Sequence, residues 1–380
     1  MLDASLQEKF KEEIQNCIKQ DASMIENLRE EIRCLKDGVK RIQPRTTTSI
    51  ALVATDGGNI DLHFDPYLIQ IIRVVDSSNN SYCLEVISPS TSLADLDKRH
   101  IEGGEIKTPL GHMMAYLGVR SLCDLSSMIR PTAKGSPVSP TWISVYRELM
   151  EWAILFALLQ KDYGTDTLIL WDGLLRSKVF KKDLFHKLLE GIAERIEEQN
   201  RKKRKIFLAG IAKRSKVLER YRLALALEKI LTTDYPAYVE IPREIEEKAY
   251  IWTEYARGDD RYIEGGEINK FVGGKMFFAK FGSHPWDPIW PVDIFQKQTD
   301  EAPIIFGSML ADAQNGFPVP FYPRSLQKAH ENAALVDFDR AILQGYILDA
   351  IGNSLGKDKQ MLDALMLQDL DPSQYRYSKG

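Results

Sequence analysis

The 380-residue sequence is poor in the residues that staple small folds or build metal modules, with 4 Cys and 6 His. Cys17, Cys34, Cys83 and Cys123 are scattered, with no C-x-x-C pair and no histidine at zinc spacing. That excludes a disulfide framework and a zinc module. Long apolar runs are also missing. None approaches the ~20 residues that cross a bilayer, and the longest, Trp152 to Leu159, suits a buried helix segment. The opening Met1-Leu2-Asp3-Ala4 is charged from the start, unlike a secretory signal, so a cytoplasmic location is expected. Charge of one sign is lacking as well. Lys and Arg number 50 against 54 Asp and Glu, a formal net charge of -4. An evenly basic surface for nucleic acid is excluded, but a local basic patch is not.

What is present is ordinary for a folded chain: 44% hydrophobic and 27% charged residues. At about 150 residues per domain, the length suits two domains or one large α/β domain with insertions, and the pattern along the chain favours the second. Residues 1–45 carry an apolar stripe at helical spacing (Phe10, Ile14, Cys17, Ile18, Met24, Leu28, Ile32, Leu35), a helical segment able to contact a partner or a second copy. Residues 46–355 form the main domain and 356–380 a polar tail. Within the domain, strands are expected at Ser49–Thr55, Tyr67–Val75 and Ser81–Ile87, the last two joined as a hairpin through Asp76-Ser77-Ser78-Asn79-Asn80. Residues 88–140 give no clear pattern. A helix over about 141–160, a buried strand Thr167–Trp171, a helix over 181–199 and a strand Lys205–Ala212 follow. A helix is expected over 215–232, irregular or β-rich chain over 233–300, and one long helix over about 325–353. The hexapeptide Ile-Glu-Gly-Gly-Glu-Ile, at 101–106 and again at 263–268, reads as two similar hairpin turns rather than a repeat.

The acidic residues fall at telling places. Asp56 ends the first strand before Gly57-Gly58, and Asp172 ends the strand after the long helix, before Gly173. Ligands of α/β sheets sit at the carboxyl ends of central strands. Two carboxylates brought together there need a cation between them. Glu148 and Glu151, on the first turns of the long helix, are the candidates for a third acid, and the spacing leaves both open. His330, near the start of the final helix, is a candidate fourth ligand. The order of strand with Asp, hairpin, helix with Glu and strand with Asp is that of a ribonuclease H-like mixed sheet flanked by helices. Oxygen-rich ligands of this kind suit Mn²⁺ or Mg²⁺, typically as two ions in phosphodiester hydrolysis. Basic residues after the same strand ends are candidates for DNA contact: Arg176 and Lys178 after Asp172, and Lys213, Arg214 and Lys216 after the next strand. Aromatics between Phe277 and Phe295, including Trp286 and Trp290, could stack on unpaired bases, though core packing is the expected role for most of them.

These motifs resemble the NurA nuclease domain. The strand ending Asp56-Gly57-Gly58, the Asp172-Gly173-Leu174-Leu175 turn, Ala209-Gly210-Ile211-Ala212-Lys213-Arg214-Ser215 and Ala329-His330-Glu331 carry the resemblance, over about residues 48–350. It implies a Mn²⁺-dependent DNA nuclease and a homodimer working with a HerA-type hexameric ATPase in DNA end processing or antiphage defence. It further implies metal-binding roles for Asp56, Asp172, His330 and Glu148 or Glu151, with Lys213 set against the scissile phosphate. The alternatives are an ATP-binding phosphotransferase of the sugar kinase and actin-like class, or a catalytically silent ribonuclease H-like scaffold. The first would need Gly-rich phosphate loops, for which only Gly265-Gly266 and Gly273-Gly274 are available.

Overall fold

A computed structural model describes residues 3–45, 50–64, 67–131, 141–250, 271–334 and 337–355. The chain opens with helices α1 (Ala4–Gln20) and α2 (Ala22–Ile32) and a short strand β1 (Lys40–Arg41). The long β2 (Ile50–Phe64), β3 (Tyr67–Asp76) and β4 (Ser81–Ile87) come next. Residues 88–131 hold α3 (Leu93–His100), the hairpin β5 (Ile101–Glu102) and β6 (Glu105–Ile106), α4 (Pro109–Leu117) and α5 (Leu122–Leu125). Then follow α6 (Trp142–Leu158), β7 (Asp166–Asp172), α7 (Leu184–Arg201), β8 (Ile206–Ile211) and α8 (Lys216–Leu227). The last part contains β9 (Ala237–Glu240), α9 (Arg243–Glu247), β10 (Gly274–Lys280), β11 (Ile289–Phe295), α10 (Ala302–Ala313), α11 (Arg324–Ala333) and α12 (Asp337–Leu355). No described helix is long and apolar enough to cross a membrane.

Nine strands form one mixed sheet in the order β1-β9-β10-β11-β8-β7-β2-β3-β4. β2, β7 and β8 run parallel, while β2-β3-β4 is an antiparallel meander. The order β4-β3-β2-β7-β8 is that of the expected ribonuclease H-like core. On its far side β11, β10, β9 and β1 extend the sheet by antiparallel pairs. The turn between β3 and β4 closes as the sequence suggests. Asp76 accepts from the backbone of Ser78 at 2.8 Å and of Asn80 at 3.0 Å, and from the Tyr82 hydroxyl at 2.7 Å.

The central strands are apolar on both sides because both sides are covered. Ile169, Trp171, Ile206 and Leu208 belong to the core shared with α6 and α7. Their alternates Leu168, Leu170, Phe207, Ala209 and Ile211 belong to the core shared with α10 and α11. Trp171, bulkier than an aliphatic strand residue, is accommodated by stacking on Trp152 of α6 with ring centroids 4.8 Å apart.

The structure departs from the sequence reading in several places. Asp56 does not end its strand: β2 continues through Gly57-Gly58 to Phe64, because β3 supplies a pairing partner for every residue from Thr55 to Phe64. Only the parallel ladder with β7 stops there, at Thr55–Trp171. The single final helix is two, α11 and α12, since Ala334 adopts an extended conformation and breaks the run. His330 therefore lies in the last turn of α11 rather than near the start of one long helix. Residues 88–131, which showed no pattern, hold short capped elements: Ser92 caps α3 and Thr108 with Pro109 opens α4. The first Ile-Glu-Gly-Gly-Glu-Ile forms the β5–β6 hairpin, turning at Gly103 and Gly104 with positive φ. The second copy lies outside the described residues, as does the 356–380 tail.

The N-terminal segment divides into two parts of different character. Ile32 and Leu35 are buried against Tyr221, Ala224 and Leu225 of α8, and Arg29 pairs with Glu228 at 2.6 Å. By contrast Phe10, Ile14 and Ile18 of α1 are exposed. Residues 40–41 pair with β9, so the segment also contributes an edge strand to the main sheet.

Candidate active site at the carboxyl end of the parallel strands

The parallel strands β2, β7 and β8 deliver Asp56, Asp172 and the Ile211–Lys213 turn to one end of the sheet. The pairing of Thr55 with Trp171 makes Asp56 and Asp172 the next positions on neighbouring strands, about 4.8 Å apart in backbone. The Asp56 side chain lies outside the described residues. Asp172 itself pairs with Ile211 of β8. Gly173 then turns the chain at φ 147°, and its N–H donates to the Ile211 carbonyl at 2.9 Å. Gly210 makes room for this crossing, since a Cβ there would lie 2.3 Å from the Gly173 carbonyl oxygen.

Asp172 is gripped from two sides. The Tyr322 hydroxyl donates to Oδ1 at 2.8 Å, and the Lys213 ammonium to Oδ2 at 3.1 Å. Lys213 also sits 5.6 Å from the Tyr322 ring centroid, over its face. Tyr322 is fully buried, edge-on to Trp290, and holds the loop before α11 against the strand end. Nothing in the local sequence pattern marks the Tyr322 hydroxyl. By strand alternation Asp172 belongs to the face covered by α10 and α11.

The helical acids stand on the opposite layer. The Glu148 carboxylate accepts a 2.5 Å hydrogen bond from the Ser177 hydroxyl, and burial raises its proton affinity above the usual carboxylate range. Ser177 lies in the loop that leaves Asp172, so that loop ties Glu148 to the strand end. Glu151 instead pairs with Arg147 on its own helix at 3.3 Å. His330 is exposed. Its helix α11 packs on β2 and β3, and Asn332 donates to the Asp76 carbonyl at 3.2 Å. Asp76 is the partner of Thr55, so the last turn of α11 reaches the level of Asp56. Among the described residues alone, no three Asp, Glu, His or Cys side chains gather as a metal-binding group.

The expected DNA contacts separate into two kinds. Lys178, Lys213, Arg214 and Lys216 are exposed around the strand ends. Arg176 is not a surface cation: its side chain is 12% exposed and is enclosed by carboxylates. Nε and Nη2 each donate to Asp293 at 2.8 Å, and Nη1 pairs with Glu246, which Arg243 also contacts at 2.8 Å. Asp293 further accepts from the Leu175 backbone at 3.1 Å. The cluster pins the turn after Asp172 to β11 and α9. Of the glycine pairs a phosphotransferase would need, Gly273-Gly274 is consumed in packing. The Gly273 N–H donates to the Leu175 carbonyl at 2.8 Å, and a Cβ on Gly274 would lie 2.5 Å from Asp293. Gly265-Gly266 lies outside the described residues.

One further histidine is buried. His100 bonds to the Thr108 hydroxyl at 2.7 Å and the Tyr146 hydroxyl at 2.8 Å, and Tyr146 donates to Glu85 at 2.7 Å. Burial lowers its pKa to about 4, so the ring is neutral and structural.

No protein-family model matches the chain, and no curated protein does either. Among solved structures it is similar to the NurA nuclease from Sulfolobus solfataricus, at 15% sequence identity and a TM-score of 0.46. That likeness covers 94% of this chain and 98% of the other. It is also similar to a NurA structure with manganese, at 14% identity and a TM-score of 0.39 over 90% and 98% of the two chains. For a NurA structure bound to dAMP and manganese the values are 16% and 0.37 over 86% and 94%. Likeness at these values does not reach individual side chains, so the site rests on the geometry of this chain.

Proposed function

We propose that the chain is a divalent-metal-dependent DNA nuclease that hydrolyses phosphodiester bonds with a water nucleophile. The observation that carries this reading is the register of β2 on β7, which makes Asp56 and Asp172 neighbours at the end of the parallel ladder. Two carboxylates at such positions repel unless a cation joins them, and an all-oxygen pair suits Mn²⁺ or Mg²⁺. In this reading Asp56 and Asp172 hold the metal, Glu148 and His330 complete its ligands, and two ions share the site. The metal would supply charge for the leaving oxygen and lower the pKa of a bound water. Lys213, already on Asp172, would turn to the scissile phosphate once the carboxylate has a metal to bind. Tyr322 would keep Asp172 oriented, and Lys178, Arg214 and Lys216 would hold the DNA backbone. The partners are DNA, a HerA-type ATPase that delivers it, and a second copy of the chain meeting the exposed stripe of α1, in end processing or antiphage defence.

The test is cleavage of end-labelled single- and double-stranded DNA with Mn²⁺, Mg²⁺ or EDTA, comparing the wild type with Asp56→Ala and Asp172→Ala. Metal-dependent cleavage lost by about a hundredfold or more in each variant is expected. Cleavage that survives either substitution, or that ignores the chelator, would overturn the proposal.

A further inference from the structure

The hairpin between β10 and β11 is built more firmly than a solvent loop requires. Lys280, the last residue of β10, is fully buried and spends all three ammonium donors on backbone carbonyls. They are those of Thr233 at 2.6 Å, His284 at 3.0 Å and Gly282 at 3.2 Å. Asp287 accepts from the His284 backbone at 2.7 Å, and the Trp286 backbone N–H donates to the His284 ring at 3.2 Å. Gly282 can be nothing larger, since a Cβ there would fall 1.9 Å from the Asp287 carboxylate. A buried lysine held by carbonyls is costly to make and fixes the loop in one shape. What that shape displays is the Trp286 indole, 69% exposed.

The hairpin stands at the same end of the sheet as Asp172. Val292 pairs with Ile211, the Ala212 N–H donates to the Pro291 carbonyl at 3.1 Å, and Ile211 pairs with Asp172. β11 lies two strands from β7, or about 10 Å across the sheet. The exposed Lys213 and Arg214 leave β8 between them. A nucleic-acid backbone that followed these cations from Asp172 across β8 would reach the end of the sheet where the hairpin stands. An exposed indole displayed by a rigid loop at the same end of the sheet as these cations suits one occupant, the face of an unpaired base, because every base offers a π-surface there. A paired duplex keeps its bases stacked on one another and has none to offer.

Resting on the nuclease reading above, we infer that Trp286 is a stacking platform for an unpaired base of the substrate strand, biasing the site toward single-stranded ends. The test measures binding without cleavage. Fluorescein-labelled oligothymidylate and a duplex of the same length are titrated in EDTA with the wild type, Trp286→Ala and Trp286→Phe, by anisotropy. Trp286→Ala is expected to weaken single-strand binding about tenfold, with most of the loss restored by Trp286→Phe and duplex binding nearly unchanged. Single-strand binding equal to wild type in Trp286→Ala would overturn the inference alone and point to a protein contact instead. Equal losses on both probes, or no rescue by Phe, would overturn it too. A wild type that binds neither probe in EDTA, nor with Ca²⁺ in its place, would overturn the nuclease reading itself, and this inference with it.

Discussion

Two carboxylate–cation clusters stand within a few residues of each other in the chain, and they behave as opposites. Asp172 with Lys213 lies at the rim: the carboxylate side chain is 12% exposed and the lysine 44%. Arg176 with Asp293 and Glu246 lies inside, where both carboxylates are fully buried. The same pairing of charges therefore serves two ends. At the rim, water competes with Lys213, so the cation can leave Asp172 for a phosphate or yield to a metal. Inside, no solvent can replace a lost partner. Burial pulls the Arg176 pKa down, but Asp293 and Glu246 outweigh it and hold the guanidinium pKa well above its ordinary value. The inner cluster is the anchor on which the rim can afford to be mobile in charge.

The sharpest way to break this contrast is to remove the inner cation. Arg176→Met leaves Asp293 without its fork partner and Glu246 with Arg243 alone. Stability to urea is expected to fall by about 3–5 kcal/mol, the cost of an uncompensated buried charge. A loss under about 1 kcal/mol would mean that water reaches the cluster, and the contrast with the rim would collapse.

The difference between the two clusters was invisible in sequence, and the reason is physical. Arg176 follows Asp172 in a run that includes Lys178, Lys181 and Lys182, which reads as a cationic surface. Its partners Asp293 and Glu246 come from β11 and α9, more than sixty residues away along the chain. Local pattern carries no record of such pairing. Tyr322 was missed for the same reason, because its partner Asp172 lies 150 residues back. By contrast β7 and β8 were legible almost to the residue, since strands covered on both faces must be apolar throughout. Those runs and the β3–β4 hairpin suggested the ribonuclease H-like core, but not its extension by β1, β9, β10 and β11. The end of β2 could not: Gly57-Gly58 looks like a stop, and only the length of β3 keeps the ladder going past it.

A smaller effect sharpens the rim side of the comparison. Tyr322→Phe keeps the buried ring against Trp290 but removes the hydroxyl that donates to Asp172 at 2.8 Å and approaches the Ile211 carbonyl at 3.4 Å. A hydrogen bond to a charged group is worth roughly 1.5–3 kcal/mol, which thermal or urea unfolding would register. Metal-dependent cleavage should fall as well, because the carboxylate loses its orienting donor. Unchanged stability would show that water fills the hydroxyl's place.

The smallest expected effect on stability comes from a residue with a large expected effect on chemistry. Lys213→Met removes the ammonium 3.1 Å from Asp172 but keeps most of the side chain's apolar length. A pair with a lysine 44% exposed contributes little, so urea stability should change by less than about 1 kcal/mol. Removal can even relieve the fold of an ordered side chain. Cleavage should nevertheless drop by about a hundredfold, since a cation aimed at developing charge acts where water is excluded by the bound strand. Unfolding and turnover are measured on one preparation, so the two numbers separate the roles. A large stability loss would make Lys213 a second structural pair like Arg176, and intact turnover would remove it from the chemistry. Small loss with large inactivation is the outcome that only a rim cation, held in place by the buried cluster behind it, can give.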